Sequence, residues 1–148
     1  MKLKVAFASA FVRTSDIYNG EVGLLIKQLG DVYNVKIVDL SALHDNDSLT
    51  NEYQNSVITA LTGFDSVVLD CSANPKFNYG WVVETVVELL GTSVCVIAKN
   101  GSSATEITKG ATLLRVDLHT FDYFEEYSEV SRLITHRIKS FPKLQEIK

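Results

Sequence analysis

The sequence predicts one α/β domain, in which a doubly wound, mostly parallel sheet of five strands carries helices on both faces. The chain has 148 residues, of which 46% are hydrophobic and 22% charged, the size and balance of one domain with a proper core. Short Val/Ile-rich segments alternate with segments of helical periodicity, which implies right-handed crossovers between parallel strands. Because no internal repeat and no low-complexity linker interrupts the pattern, residues 1–148 are predicted to form a single domain.

The strands are predicted where Val/Ile-rich runs are too brief for helices. They span residues 3–9, 35–40, 66–72 and 93–98, with a shorter strand at 118–122. In parallel sheets of this flavodoxin-like or Rossmann-like kind, ligands bind at the carboxyl ends of the strands. Residues that follow each strand are therefore the first candidates for a functional site.

Helices are predicted between the strands. The first ends before Gly30 and is capped by Ser15 or Asp16. Two further helices end at glycines that can adopt the left-handed cap conformation. They span about 50–62, ending at Gly63, and about 79–90, ending at Gly91. A closing amphipathic helix places on one face Tyr127, Val130, Leu133, Ile134 and Ile138.

Composition excludes several classes of function. A net charge of -4, with no basic stripe, argues against polymeric nucleic acid as a partner. No apolar run reaches the roughly 18 to 20 residues of a membrane span, and the N-terminal segment reads as a strand, not a signal peptide. Cys71 and Cys95 lie in or beside apolar runs, which predicts buried thiols and a cytoplasmic protein. No cofactor is predicted, since no dinucleotide fingerprint, P-loop or metal-ligand spacing of the histidines occurs.

Polar residues collect after the first and fourth strands. Ser9, Arg13 and Tyr18 follow strand one, where hydroxyls, a guanidinium and backbone N–H groups can face an anion. The alternative is that this loop only caps the next helix. After strand four, the segment 101–105 ends in Thr105 and offers a phosphate cradle or a plain turn with a helix cap.

The helix predicted over 79–90 carries a carboxylate among apolar neighbours. Glu84 lies four residues after Gly80 on the same helix face, and helical side chains lean towards the N-terminus. Gly80 therefore leaves open space for the carboxylate near the strand ends. The flanking apolar residues leave little solvent-facing arc, so a functional acid and an exposed polar position are both open readings.

The order of these parts resembles the nucleoside 2-deoxyribosyltransferase family, closest to its branch that hydrolyses nucleoside 5'-monophosphates. The resemblance lies in "GFDSVVLDCS" and "NYGWVVETVVELLGTSVCVI", with Asp65, Gly80, Glu84 and Gly91 at family positions. It implies an N-glycosidase in which Glu84 attacks the anomeric carbon and forms a glycosyl-enzyme, as in a retaining glycosidase. The free base and a sugar 5-phosphate would be the products.

The resemblance also implies roles for other residues. Tyr18 matches a tyrosine that orients the nucleophile, and Ser9, with Arg13 and Gly80, lies where the substrate would bind. Asn78 falls where the transferases have Asp and the hydrolases Ser, and Thr105 matches a phosphate-contacting Ser that reaches a neighbouring subunit. The implied partners are a nucleotide or nucleoside substrate and a second copy of the chain, in a homodimer or higher oligomer.

One position departs from the family pattern. The family Asp that helps bind or protonate the base falls on Val57. Three functions therefore remain open: the monophosphate hydrolase as the leading prediction, a deoxyribosyltransferase that exchanges bases, and a catalytically silent nucleotide-binding or regulatory module.

Overall fold

The structure is a computed structural model, and it describes residues 2–10, 20–41, 51–72, 79–84, 86, 90, 92–99 and 120–135. Within these ranges, strands and helices alternate along the chain. The strands are β1 (Lys4–Ser9), β2 (Asn34–Asp39), β3 (Ser66–Asp70), β4 (Ser93–Lys99) and β5 (Thr120–Phe124). The helices are α1 (Gly20–Val32), α2 (Asn51–Leu61), α3 (Tyr79–Glu84) and α4 (127–135).

The five strands form one sheet in the order β2-β1-β3-β4-β5, and each neighbouring pair is parallel. The order reverses direction at β1, so the crevice at a switch in strand order lies between the carboxyl ends of β1 and β3. The predicted doubly wound, flavodoxin-like α/β fold is confirmed, and the strand bounds agree with the sequence prediction to within two residues at each end.

Two apolar layers cover the two faces of the sheet, because successive side chains of a buried strand point to opposite faces. On one face, α2 and α3 pack against a cluster that includes Ala8, Val57, Leu69, Tyr79 and Val96. On the other face, α1 and α4 pack against a cluster that includes Phe7, Leu25, Val68, Ile97 and Ile134. Helices therefore lie on both faces, as predicted.

Gly30 and Gly63 behave differently although both were predicted to end helices. Gly63 has a φ of 89°, the left-handed conformation that favours glycine, and α2 ends two residues before it. Helix α1 instead passes through Gly30 to Val32, and the Tyr33 N–H donates to the Leu29 carbonyl at 2.8 Å. Because Tyr33 is buried against the same cluster as Leu29, packing extends the last turn beyond the glycine.

Candidate functional site

The carboxyl ends of the three neighbouring strands β2, β1 and β3 bring polar side chains together. Asp39, Ser9 and Asp70 are the last residues of these strands, and the sheet register places Ser9 opposite both aspartates. Asp39 accepts hydrogen bonds from the backbone N–H and the hydroxyl of Ser41, at 3.1 and 2.7 Å. The Asp39 carboxylate therefore closes a local turn, and Asp70 is the acid at the centre of the edge.

Asp70 is fully buried, and both of its carboxylate oxygens have partners inside the chain. Its Oδ1 accepts from the backbone N–H of Ser72 at 2.9 Å, and its Oδ2 accepts from the hydroxyl of Tyr127 at 2.6 Å. The hydroxyl of Ser9, also fully buried, donates to the Asp70 carbonyl at 2.8 Å. Asp70 thus links β1, β3 and the first residue of α4 in one buried network.

Lys99, the last residue of β4, completes this group on its other side. Its backbone N–H donates to the Ser72 hydroxyl at 2.8 Å, which ties β4 to the residues that follow β3. Its ammonium nitrogen lies 5.0 Å from the centroid of the Tyr127 ring, within range of a cation–π interaction. A positive charge is therefore held next to the aromatic ring whose hydroxyl donates to Asp70.

Burial governs the titration of these groups. Desolvation raises the pKa of Asp70 above its ordinary value of 3.8, against the opposing effects of the Tyr127 and Ser72 hydrogen bonds and the Lys99 charge. Desolvation, then the neighbouring Asp70 charge, raises the pKa of the Tyr127 hydroxyl, so it stays a donor at neutral pH. Burial likewise raises the pKa of the Cys71 thiol, so it is not an activated nucleophile. Cys71 and Cys95 are buried thiols that form no disulfide, as the sequence predicted.

The raised pKa of Asp70 predicts how stability changes with pH. Folding raises this pKa, so the native state binds a proton more readily than the unfolded state. The free-energy cost of burying the ionised carboxylate grows as pH rises from 3.8 through the folded-state pKa, and above that pKa the full cost is present. We therefore expect Asp70→Asn to gain stability relative to the wild type as pH rises over this range, measured by urea unfolding at several pH values.

Asp31→Asn is the matched control, because it removes one negative charge from an exposed position on α1. Subtracting its pH profile corrects for the change in net charge. A relative gain of the wild type with rising pH would contradict the prediction, because ionised Asp70 would then stabilise the native state through its hydrogen bonds.

Three of the seven predicted site residues lie in the described part of the chain. Ser9 ends β1, Gly80 is buried in the first turn of α3, and Glu84 is the last residue of α3. The Ser9 hydroxyl is engaged within the sheet edge by the carbonyl of Asp70. The others lie outside the described residues, so the predicted grouping stays a prediction for Arg13, Tyr18, Asn78 and Thr105.

Asp70 is not among the site residues predicted from the sequence, and no polar role was predicted for Tyr127. Asp70 could have been found by the rule that selected Ser9, because it is the acid at the carboxyl end of a buried Val/Leu segment. Tyr127 was predicted on the apolar face of the closing helix, which its burial confirms. No local pattern indicates that its hydroxyl reaches a carboxylate 57 residues earlier.

Comparison with known proteins bears on the fold. No family model and no curated protein matches the chain. An adenylate cyclase structure from Rhodopirellula baltica matches with a TM-score of 0.62 and 12% identity, over 99% of this chain and 94% of that chain. The N-terminal domain of a response regulator/sensory box/GGDEF protein from Carboxydothermus hydrogenoformans gives 0.62 and 12% over 97% of each chain. A signal receiver domain from Vibrio parahaemolyticus gives 0.59 and 12%, over 99% and 97%.

The predicted membership of the nucleoside 2-deoxyribosyltransferase family was wrong. The solved structures that share the fold include response-regulator and receiver domains, and the comparisons give no evidence for that family. The structure supplies a physical reason at the departing position, because Val57 is fully buried in the core between α2 and the sheet. Because this position holds an apolar side chain in a closed core, it supplies no carboxyl group that could protonate a leaving base.

The predictions that followed from this family are corrected with it. The N-glycosidase, with its glycosyl-enzyme on Glu84, conflicts with the signalling domains that share the fold, and so does base exchange. A nucleotide or nucleoside as substrate is corrected too, and the expected homodimer loses the resemblance on which it rested. Of the three functions predicted from the sequence, the catalytically silent module agrees best with the response-regulator and receiver domains that share the fold.

None of the described helices combines the length and apolar character that crossing a bilayer requires.

Proposed function

We propose that this chain is a non-catalytic regulatory module, which passes on a change of state by binding another protein. The observation that supports this most directly is the state of Asp70. It is the carboxylate at the centre of the carboxyl edge, where parallel sheets place their chemistry, and it is fully buried with both oxygens engaged. Its contacts hold the fold together and leave no oxygen facing a substrate.

Catalysis by a carboxylate needs different surroundings. A general base or nucleophile must lie within hydrogen-bond reach of the group it attacks or deprotonates, in a pocket that admits substrate. The Tyr127 hydroxyl donates to Asp70 Oδ2 at 2.6 Å, and Asp70 is fully buried. Asp70 is therefore suited to sensing a rearrangement of its neighbours.

The network around Asp70 is suited to regulation because it joins elements that are distant in sequence. Through Ser9, Ser72, Lys99 and Tyr127 it connects three strands and the closing helix. A buried polar network responds as a unit when one member moves. Two of the solved structures that share the fold are named as a response-regulator domain and a signal receiver domain, which supports this role by analogy of fold.

Two measurements test the proposed function. In the first, the purified chain is incubated with nucleosides, nucleoside 5'-monophosphates and, separately, acetyl phosphate with Mg²⁺. We expect no released base by chromatography and no change in intact mass. Turnover above the buffer rate would contradict a non-catalytic module, and a phosphoryl group gained by the wild type but not by Asp70→Asn would contradict a sequestered Asp70.

The second measurement looks for the partner protein. A tagged chain is cross-linked in its native cells and purified, and co-purified proteins are quantified for the wild type, Asp70→Asn and the control Asp31→Asn. We expect one protein in near-stoichiometric amount, whose recovery changes with Asp70→Asn and not with Asp31→Asn, because Asp31 lies on the exposed side of α1. Equal recovery of every protein from all three chains would contradict the proposal.

A further inference from the structure

Helix α4 begins only two residues after β5 ends, and it docks on the sheet through an apolar face. Tyr127, Val130 and Ile134 are buried on that face, whereas Ser128, Glu129 and Arg132 are exposed. The face packs in the same cluster as Leu25 and Leu29 of α1. As for most helices in proteins, these tertiary contacts of the apolar face are a main source of its stability.

Two hydrogen bonds tie described residues of α4 to other elements, and they differ in length. At the first residue, the Tyr127 hydroxyl donates to Asp70 Oδ2 at 2.6 Å inside the buried edge. At Thr135, the last described residue of the helix, the Tyr33 hydroxyl donates to the backbone carbonyl at 3.5 Å, the outer limit of a hydrogen bond. The contact at Tyr127 is therefore the shorter and stronger of the two.

Breaking the bond between Asp70 and Tyr127 would leave a buried carboxylate oxygen without its donor, which is unfavourable unless another group takes its place. Lys99 supplies the positive charge in this neighbourhood. Its ammonium lies 5.0 Å from the centroid of the ring that carries the hydroxyl, and its charge lowers the pKa of Asp70. The charge that favours an ionised Asp70 and the hydroxyl that donates to it are thus held side by side.

We propose that the Asp70–Tyr127 hydrogen bond is a latch between the carboxyl edge of β3 and the first turn of α4. A group that takes the Asp70 carboxylate away from the Tyr127 hydroxyl releases that turn. By linkage, a protein that binds the released turn of α4 also loosens Asp70 from its donor. This inference rests on the proposed regulatory function and specifies the element that moves. The latch couples the end of the sheet to the helix through one side-chain contact.

Hydrogen–deuterium exchange on Tyr127→Phe tests the latch. This change removes only the hydroxyl and keeps the ring, which packs 4.8 Å from the Phe124 ring between centroids. We expect the amides of 127–135 to exchange about 10- to 100-fold faster, the factor that corresponds to leaving one buried acceptor without its donor. The slowest amides of β1, β3 and β4 are expected to change much less.

Tyr123→Phe is the matched control, because it removes a hydroxyl from the half-exposed tyrosine of β5. It should leave exchange in α4 unchanged. The double variant Asp70→Asn/Tyr127→Phe should show no faster exchange in α4 than Tyr127→Phe alone, since Tyr127→Phe already removes the donor of the contact to which Asp70 belongs. Additive effects would overturn the latch.

Two other outcomes would also overturn the latch. In the first, the amides of α4 exchange at the same rate in Tyr127→Phe as in the wild type. In the second, exchange accelerates equally in every protected element, which would indicate global destabilisation. Failure of the latch is distinguishable from failure of the proposed function. The exchange measurement needs no partner, and the turnover and partner measurements do not depend on motion of α4.

Discussion

Val57→Asp is expected to destabilise the fold by about 4 kcal/mol or more at neutral pH. Val57 is fully buried in the layer between α2 and the sheet. Burial without a partner raises a carboxyl pKa by up to about 3 to 5 units, and each unit corresponds to about 1.4 kcal/mol. Urea unfolding at neutral pH measures the loss.

Thr59→Asp is the control for this change, because Thr59 is exposed two residues further along α2. It should alter the unfolding free energy by no more than about 0.5 kcal/mol. The comparison also tests the correction of the family assignment, since the nucleoside deoxyribosyltransferase pattern has Asp at the position of Val57. If Val57→Asp were as stable as Thr59→Asp, this position would not be the closed core that the structure shows.

Phe7→Ala is the second substitution with a large expected effect, a loss of about 3 to 5 kcal/mol in the free energy of unfolding. Phe7 is fully buried at the middle of β1 and pairs in register with Ile37 of β2 and Val68 of β3. Its ring fills the layer beneath α1 and α4. Removing it leaves a cavity that a close-packed sheet cannot fill by relaxation.

Leu24→Ala is the matched control for loss of a large apolar side chain. Leu24 is 62% exposed on α1, so its truncation should change stability by less than about 0.5 kcal/mol. Urea midpoints of both variants give the comparison directly. A loss below about 1 kcal/mol for Phe7→Ala would mean that α1 and α4 do not close this face of the sheet.

The exposed position of Leu24 also shows a limit of periodicity. Leu24, Leu25 and Leu29 all fall at roughly helical spacing in the sequence of α1, yet only Leu25 and Leu29 are buried. Consecutive residues on a helix are about 100° apart, so Leu24 and Leu25 cannot both face the sheet squarely. The sequence alone could not decide between them, because both are equally apolar.

The sequence by itself determined the class of fold and the order of the elements. Runs such as "SVVLD" and "VCVIA" are buried on both faces, and such a run is recognisable from local composition. Gly63 similarly marks a helix end, because its left-handed conformation is a local preference. These features needed no knowledge of distant contacts.

Only the tertiary structure decided which polar groups meet. Asp70 contacts Tyr127 and Ser9, which lie 57 and 61 residues away in the chain, and these contacts turn an acid at a strand end into a buried anchor. Local patterns indicate which runs of the chain are buried, but the donor that a buried carboxylate finds depends on strand order and helix docking. For that reason the sequence directed attention to Glu84, whereas in the described part of the chain the fold buries Asp70 completely and pairs both of its carboxylate oxygens.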